Sequence, residues 1–252
     1  MTSPVIDGYA TGMASGTTTQ SAALTTTTSN DIIVVATYAS TYGNSNPGVA
    51  VSGVAASGLT FTKRVRSHVS QCGGLELWWA VAASPLTAAT ITVTYAAAFD
   101  DACVVAFGVA GCHTAAPWDG NSTLPANNGY AGPSTGAQTA ALTGSTSSAD
   151  DLLLMAVGAG RSASSTQFTV APTGFTLVAS KFNGGGSGYG GLGIAAEAVS
   201  AVQTGVTVTW GSSITDDATT SAAGSSLEYV LDALTADTAG GSAAQTAVFV
   251  IV

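Results

Sequence analysis

The sequence predicts an all-β protein built from two tandem, homologous antiparallel β-sandwich domains with a jelly-roll-like arrangement. One observation is alternation: in Thr90–Tyr95, Ile91, Val93 and Tyr95 alternate with threonines, and Val206–Trp210 has the same pattern. A period of two places the apolar side chains on one face of a β-strand. One buried face and one wet face are typical of antiparallel sheets that pack face to face.

The second observation is that a pair of strands occurs twice. Gly73–Tyr95 (GGLELWWAVAASPLTAATITVTY) predicts two strands joined at Pro85, where a missing N–H costs no ladder bond. Gly190–Trp210 repeats this pattern in altered form. Leu75–Ala83 is more uniformly apolar than its partner, so we expect it to lie inside its sheet.

The third observation is that six features recur in the same order, at offsets of 112 to 120 residues. The shared order is stronger evidence for an internal repeat than any single identity, because a composition rich in Ala, Thr, Ser and Gly increases chance matches. It predicts two domains, 1–113 and 114–252. The matches are Asp7-Gly8 with Asp119-Gly120, Gln20–Thr25 with Gln138–Thr143, Asp31 with Asp151, Gly58–Phe61 with Gly174–Leu177, the two strand pairs, and Asp100-Asp101 with Asp216-Asp217.

Each domain has seven or eight predicted strands separated by Gly, Asn, Ser and Pro, a density typical of a sandwich or jelly roll. Domain 1–113 has predicted strands at Gln20–Leu24, Ile32–Tyr38, Val49–Val54, Leu59–Arg66, Leu75–Ala83, Thr90–Tyr95 and Cys103–Val109. Domain 114–252 has them at Thr139–Leu142, Leu152–Val157, Phe168–Val170, Phe175–Phe182, Leu192–Val199, Val206–Trp210, Leu227–Leu231 and Ala247–Val252. Part of Thr114–Gln138 is predicted to form the first strand of the second domain.

Composition and charge argue against several functions. Apolar residues make up 46% of the chain and charged residues only 8%, with a net charge of −9. Lys63, Arg64 and Arg66 form the one basic cluster, and strand alternation divides it between two faces, so no nucleic-acid partner is expected. No apolar run reaches the length of a membrane span. The N-terminus lacks signal-peptide features, and the three cysteines, Cys72, Cys103 and Cys112, are expected to be reduced.

Residues with catalytic or metal-binding chemistry are sparse. His68 and His113 are the only histidines, and neither has a nearby motif that pairs it with a nucleophile. No enzymatic activity, no cofactor and no metal are therefore predicted. The pairs Asp100-Asp101, Asp150-Asp151 and Asp216-Asp217 leave calcium open as an alternative, but turn aspartates that bond their own backbone explain them without a metal.

The aromatic residues suggest a contact surface. Trp78 and Trp79 are adjacent, so on a strand they face opposite sides, and one of them is predicted to lie in the core. We assign Trp79 and Tyr189 as candidate contacts with either a protein interface or a glycan. Interface is the preferred reading because tryptophan is enriched at interfaces, and the glycan alternative follows because aromatic rings suit the apolar faces of sugars.

A family resemblance follows from the strand motifs. Gly-Leu-Thr-Phe at Gly58–Phe61, Glu-Leu-Trp-Trp-Ala-Val-Ala at Glu76–Ala82 and Thr-Ile-Thr-Val-Thr-Tyr at Thr90–Tyr95 resemble jelly-roll virion structural proteins of tailed bacteriophages. These are capsid decoration, head-fibre and tail-associated proteins. The resemblance implies a virion location after synthesis in the host cytoplasm, and packing as a homo-oligomer.

From this resemblance we expect a non-enzymatic structural protein, namely a capsid decoration or cement protein that stabilises the shell by protein–protein contacts. Its expected partners are the major capsid protein or other virion proteins, and further copies of itself. The alternative function is a glycan-binding adhesion module of a spike or tail fibre, with a host surface glycan as partner.

Overall fold

The alternating and apolar stretches form strands throughout a computed structural model of the chain. The structure describes residues 3–41, 49–68, 73–131, 136–160, 168–183, 190–216 and 226–237, and these ranges contain no helix. In particular, they contain no helix with the length and apolarity needed to cross a membrane. The all-β prediction is therefore confirmed.

Sixteen strands make up the described chain. They are β1 (Val5–Ser15), β2 (Thr19–Leu24), β3 (Asp31–Ser40), β4 (Val51–Ala56), β5 (Leu59–Thr60), β6 (Thr62–His68), β7 (Gly73–Ala82), β8 (Ala89–Tyr95), β9 (Asp101–Ala110), β10 (Ala126–Ala131), β11 (Gly136–Gly144), β12 (Leu152–Gly160), β13 (Thr176–Asn183), β14 (Gly190–Ala198), β15 (Val206–Asp216) and β16 (Ser226–Leu234).

The strands form four antiparallel sheets stacked as layers. Sheet I has the order β2-β8-β4-β5 and sheet II the order β1-β9-β3-β7-β6, both from the first half of the chain. Sheet III has the order β10-β16-β12-β14-β13 and sheet IV pairs β11 with β15. Sheets I and II enclose one apolar core, and sheets III and IV enclose another. A third core lies between sheets II and III and joins the two halves.

The middle strands of sheets II and III are buried on both faces. In β3, Ile32 and Val34 point into the core between sheets II and III, while Ile33 and Val35 point into the core between sheets I and II. Every residue of β3 and β12 is buried. This explains why these strands read as continuous apolar runs, whereas β8, in an outer sheet, keeps the simple alternation.

Sheets II and III have matching strand orders. The order of sheet II becomes that of sheet III when each strand is replaced by a counterpart: β10 for β1, β16 for β9, β12 for β3, β14 for β7 and β13 for β6. The two sheets stack in opposite directions, with β1 beside β13 and β6 beside β10. The stack therefore has an approximate two-fold relation. Common ancestry of the two halves and the boundary between 113 and 114 stay predictions.

Most predicted strands coincide with observed strands, with three differences. The predicted strand Leu59–Arg66 is divided at Phe61 into β5, in sheet I, and β6, in sheet II. Phe168–Val170 was predicted as a strand and is not one: Phe168 has φ +57°, which lies outside the extended region. β1 is a long strand that the alternation pattern did not reveal, because a bulge between Ile6 and Tyr9 interrupts its period. The predicted strand Ala247–Val252 lies outside the described residues.

Candidate functional site

The basic cluster predicted on β6 is divided between two faces by a bulge after Lys63. On one face, Arg64 donates two hydrogen bonds to the carboxylate of Asp232, at 2.7 and 3.0 Å. Asp232 is fully buried, and the Arg64 guanidinium also lies 4.9 Å from the centre of the Trp118 ring. Arg64 thus connects β6 of the first half with β16 and Trp118 of the second.

The other two basic residues of the cluster face Glu76 on β7. The Lys63 ammonium lies 2.9 Å and the Arg66 guanidinium 3.2 Å from the Glu76 carboxylate. The same carboxylate accepts hydrogen bonds from the Trp78 indole N–H and the Val51 backbone N–H. Charge-assisted hydrogen bonds of this kind offset the cost of burying Glu76. All three cations of the cluster are therefore used within the chain.

A pair of aspartates lies at one end of sheet II. Burial alone would raise the pKa of Asp7, but hydrogen bonds from the backbone N–H and hydroxyl groups of Thr27 and Thr28 outweigh it and hold the pKa below its usual range. Asp31 lies beside Asp7 and is fully buried. Burial, and then contact with Asp7, raise the pKa of Asp31 to about 6.

An equivalent pair lies in sheet III. Hydrogen bonds from Asn121, Ser147 and Ser148 outweigh the effect of burial and lower the pKa of Asp119. Asp151 is fully buried, and its carboxyl group lies against that of Asp119. Burial and the charge of Asp119 raise the pKa of Asp151 to about 8.

Each pair favours holding one proton, the Asp119–Asp151 pair at neutral pH and the Asp7–Asp31 pair only below about pH 6. Two carboxyl groups in contact cannot both be ionised at low cost. The N–H groups keep Asp7 and Asp119 ionised, so Asp31 and Asp151 carry the protons. Within the described ranges no three or more His, Cys, Asp or Glu side chains meet in a metal-binding group. The calcium alternative for Asp100-Asp101, Asp150-Asp151 and Asp216-Asp217 gains no ligand set from that part of the chain.

A buried polar network lies between sheets I and II. The Gln20 amide donates to the Thr37 hydroxyl at 2.8 Å and also to the Tyr95 hydroxyl. Thr37 in turn donates to the backbone carbonyl of Cys103 at 3.1 Å. Burial raises the pKa of Tyr95 above its usual value, so its hydroxyl stays protonated and serves as a structural hydrogen-bonding group.

The predicted contact residues have different surroundings. Trp78 and Trp79 face opposite sides of β7, as strand alternation requires: Trp78 packs against the core between sheets I and II, and Trp79 against the core between sheets II and III. Both are half-buried. Trp210 is fully buried, with its ring edge-on to Phe168. Tyr189 lies outside the described residues.

The histidines and cysteines form no common site among the described residues. His68 is exposed at the end of β6, and the imidazole Nδ1 of His113 accepts a hydrogen bond from the Ala116 backbone N–H. Cys103 and Cys112 are buried and form no disulfide, and burial raises the pKa of each thiol to about 12. Cys72 lies outside the described residues.

An apolar groove opens between β1 and the edge of sheet III. It has a volume of about 350 Å³, and it is lined by Pro4, Val5, Ile6, Tyr9, Leu152, Thr176, Leu177, Val178, Ala196 and Ala198. None of these residues carries a formal charge. The groove was not predicted, because β1 was not recognised as a strand and because nothing local in the sequence places β1 beside β13.

The chain was compared with family models, curated proteins and solved structures, and none of the three comparisons gave a match. The site therefore has to be understood from the geometry alone. In the described part of the chain, the buried titratable groups are each engaged by neighbours that fix the fold. The apolar groove, by contrast, is open to solvent.

Proposed function

We propose that this chain is a non-enzymatic structural protein of a tailed-phage virion, acting as a capsid decoration or cement protein. Its partners in this role are the major capsid protein or other virion proteins, together with further copies of itself. The proposal begins from the strand motifs at Gly58–Phe61, Glu76–Ala82 and Thr90–Tyr95, and it is carried by one structural observation: the apolar core between sheets II and III.

That core supports a mechanical role for a physical reason. Interfaces between domains of one chain are usually modest and allow relative motion unless they are large and apolar. Here the joining core includes Ile32, Val34, Leu152 and Leu154, all of them buried, and the Arg64–Asp232 pair adds a directional contact. The two halves therefore act as one rigid block of four layers, which suits a protein that reinforces a lattice.

The proposed mechanism is binding to the assembled shell in preference to its free subunits. A ligand that binds only the assembled state stabilises that state by mass action, by about 2.7 kcal/mol when its free concentration is a hundred times its dissociation constant. A surface with few charges loses little solvation energy when it is covered. The chain, with 8% charged residues, has such a surface.

The test compares particles made with and without the chain. Particles from a phage whose copy of this gene is deleted should release DNA to an external dye at a lower temperature than wild-type particles. Adding back the purified chain should restore the release temperature, whereas adding an unrelated β-sandwich protein should not. Unchanged heat resistance after deletion would reject the cement role, and density restricted to a tail or spike in particle images would do so as well.

A further inference from the structure

Apolar side chains are concentrated on the surface of one edge strand. Among the described residues, five large hydrophobic side chains are exposed, and three of them lie on β1: Val5 at 56%, Tyr9 at 59% and Met13 at 53%. The other two, Val170 and Val202, lie elsewhere. Val5 and Tyr9 also line the apolar groove. A groove lined by exposed apolar side chains marks an interaction site more often than scattered single residues do.

The groove corresponds to a filled place on the other side of the stack. Ile6 stands opposite Val109 and Trp118 stands opposite Leu234, while Val109 and Leu234 hold equivalent positions beside β3 and β12. Ile6 and Trp118 are therefore counterparts in the approximate two-fold relation.

The same register gives three more counterparts across the stack. Ala196 pairs with Thr176, the first residue of the edge strand β13, and Trp79 pairs with Thr62, the first residue of the edge strand β6, so Ala196 and Trp79 are counterparts. Val178 corresponds to Arg64, because each is the residue left without a pairing partner at the bulge of its edge strand, β13 or β6. Ala198 corresponds to Val81, because they pair with the equivalent residues Leu152 and Ile32.

Each counterpart is larger on the filled side than on the groove side. Trp118, Trp79, Arg64 and Val81 stand where the groove has Ile6, Ala196, Val178 and Ala198. The groove thus has the space that two indole rings and a guanidinium occupy across the stack. An aromatic side chain supplied from outside is the chemistry that fits this space.

A second copy of the chain can supply that side chain. The groove is continuous with the core between sheets II and III, since Ile6, Leu152, Val178 and Ala196 belong to both. Two copies that each carry a net charge of −9 repel, so their contact is favoured where the surface bears no acidic groups. In a two-fold dimer one patch meets itself, which requires a projecting group and a receptor on the same patch. Tyr9 and the groove meet that requirement.

We propose that two copies of this chain associate through the groove between β1 and β13, with the Tyr9 ring of each copy inserted into the groove of the partner subunit. Val5, which lines the same groove, covers the inserted ring and excludes water. This inference rests on the proposed structural role in one respect only, namely that further copies of the chain are among its partners. The association needs no shell, so the two proposals can fail separately.

Sedimentation-velocity measurements of the purified full chain test the proposal. At about 100 μM the wild-type chain should sediment with about twice the monomer mass of 24.5 kDa, and Tyr9→Ser should shift it to the monomer. Tyr9 is mostly exposed, so its removal leaves the fold intact. Val202→Ser is the matched control, since it removes a large exposed apolar side chain outside the groove, and it should leave the dimer unchanged.

A second variant guards against a weak effect of the first. Val5→Glu places a charge in the groove of both copies and, because Val5 is mostly exposed, it should also give monomers with a circular dichroism spectrum like that of the wild type. A monomeric wild-type chain at 100 μM would overturn the inference. So would a dimer that persists in both the Tyr9→Ser and Val5→Glu variants, or one that Val202→Ser abolishes equally well.

Discussion

The aspartate pairs determine how the protein responds to pH at the scale of single residues. The pKa of Asp151 is raised from 3.8 to about 8 by burial and by the charge of Asp119, so the folded chain holds a proton that the unfolded chain loses above about pH 4. Stability from this group is fully present below the unfolded pKa and is lost as the pH rises through the folded pKa. The free energy of unfolding should fall by up to about 1.4 kcal/mol per pH unit for this one proton.

Asp151→Asn tests this prediction. The amide is neutral, has the shape of the protonated acid and can donate to Asp119, so the variant should lose the part of the slope due to Asp151 between pH 6 and 8. Asp31→Asn is the control, because the pKa of Asp31 is about 6 and its share of the slope lies below that pH. Urea denaturation at several pH values measures the slopes. Equal slopes for Asp151→Asn and wild type between pH 6 and 8 would contradict the assignment.

These pairs also mark what the sequence can and cannot predict about single residues. All four aspartates appear among the matched features of the internal repeat, so the sequence singles out their positions. The sequence does not predict that they pair, because Asp7 and Asp31 are brought together only when β1 crosses to pair with β9. Each half has an Asp-Gly pair and, later in the chain, an Asp that precedes an apolar run. This recurrence is the signal that could have identified the pairs.

At the scale of elements, the contact between β6 and β16 joins the two halves of the chain. Asp232 is fully buried, and Arg64 supplies both of its charged hydrogen bonds. Removing one partner of a buried ion pair leaves the other charge uncompensated, at a cost of about 3–5 kcal/mol, whereas replacing both with apolar residues is often close to neutral. The counterpart positions, Val178 and Phe107, are apolar, so the fold accepts this exchange.

We therefore expect Arg64→Met to destabilise the chain by about 3–5 kcal/mol and Arg64→Met with Asp232→Leu to cost much less. Urea denaturation of the wild type, both single variants and the double variant completes the cycle. A double variant as unstable as the sum of the two single variants would mean that the pair is not coupled. Lys63→Met, whose partner Glu76 keeps Arg66, is the control and should cost less than Arg64→Met.

Strand identity was largely predictable from sequence, and sheet stacking was not. β8 was recognised because alternation is a local property of consecutive residues. β1 was missed because Gly8, at φ +80°, lies in the bulge that breaks the alternation. The burial of β3 and β12 on both faces depends on how two sheets pack, and a continuous apolar run fits several such packings equally well.

At the scale of the whole molecule, the close approach of sheets II and III depends on Gly158. A Cβ atom at Gly158 would lie 2.2 Å from the ring of Tyr38, which is fully buried between the sheets. No real contact is this short, so any side chain at this position must separate the two halves or displace the ring. The tight joint between the halves is therefore fixed by one glycine and one tyrosine.

Gly158→Ala should destabilise the chain by about 1–3 kcal/mol, as expected for overpacking. Gly53→Ala is the matched control, because a Cβ at that strand position would meet no atom within 4 Å. Its effect should stay within about 0.5 kcal/mol. Thermal unfolding followed by calorimetry measures both variants. If Gly158→Ala proved as stable as Gly53→Ala, the close packing of sheets II and III would be wrong.

The pairing of β1 with β9 has a consequence for synthesis on the ribosome. Ser15 of β1 bonds to Asp101 of β9, and 86 residues separate the two. At roughly 5–20 residues per second, β1 waits on the order of 10 s before its partner strand is made. During that interval its apolar side chains have no sheet to join. The apolar side chains of β1 are therefore open to contact with other nascent chains until β9 emerges.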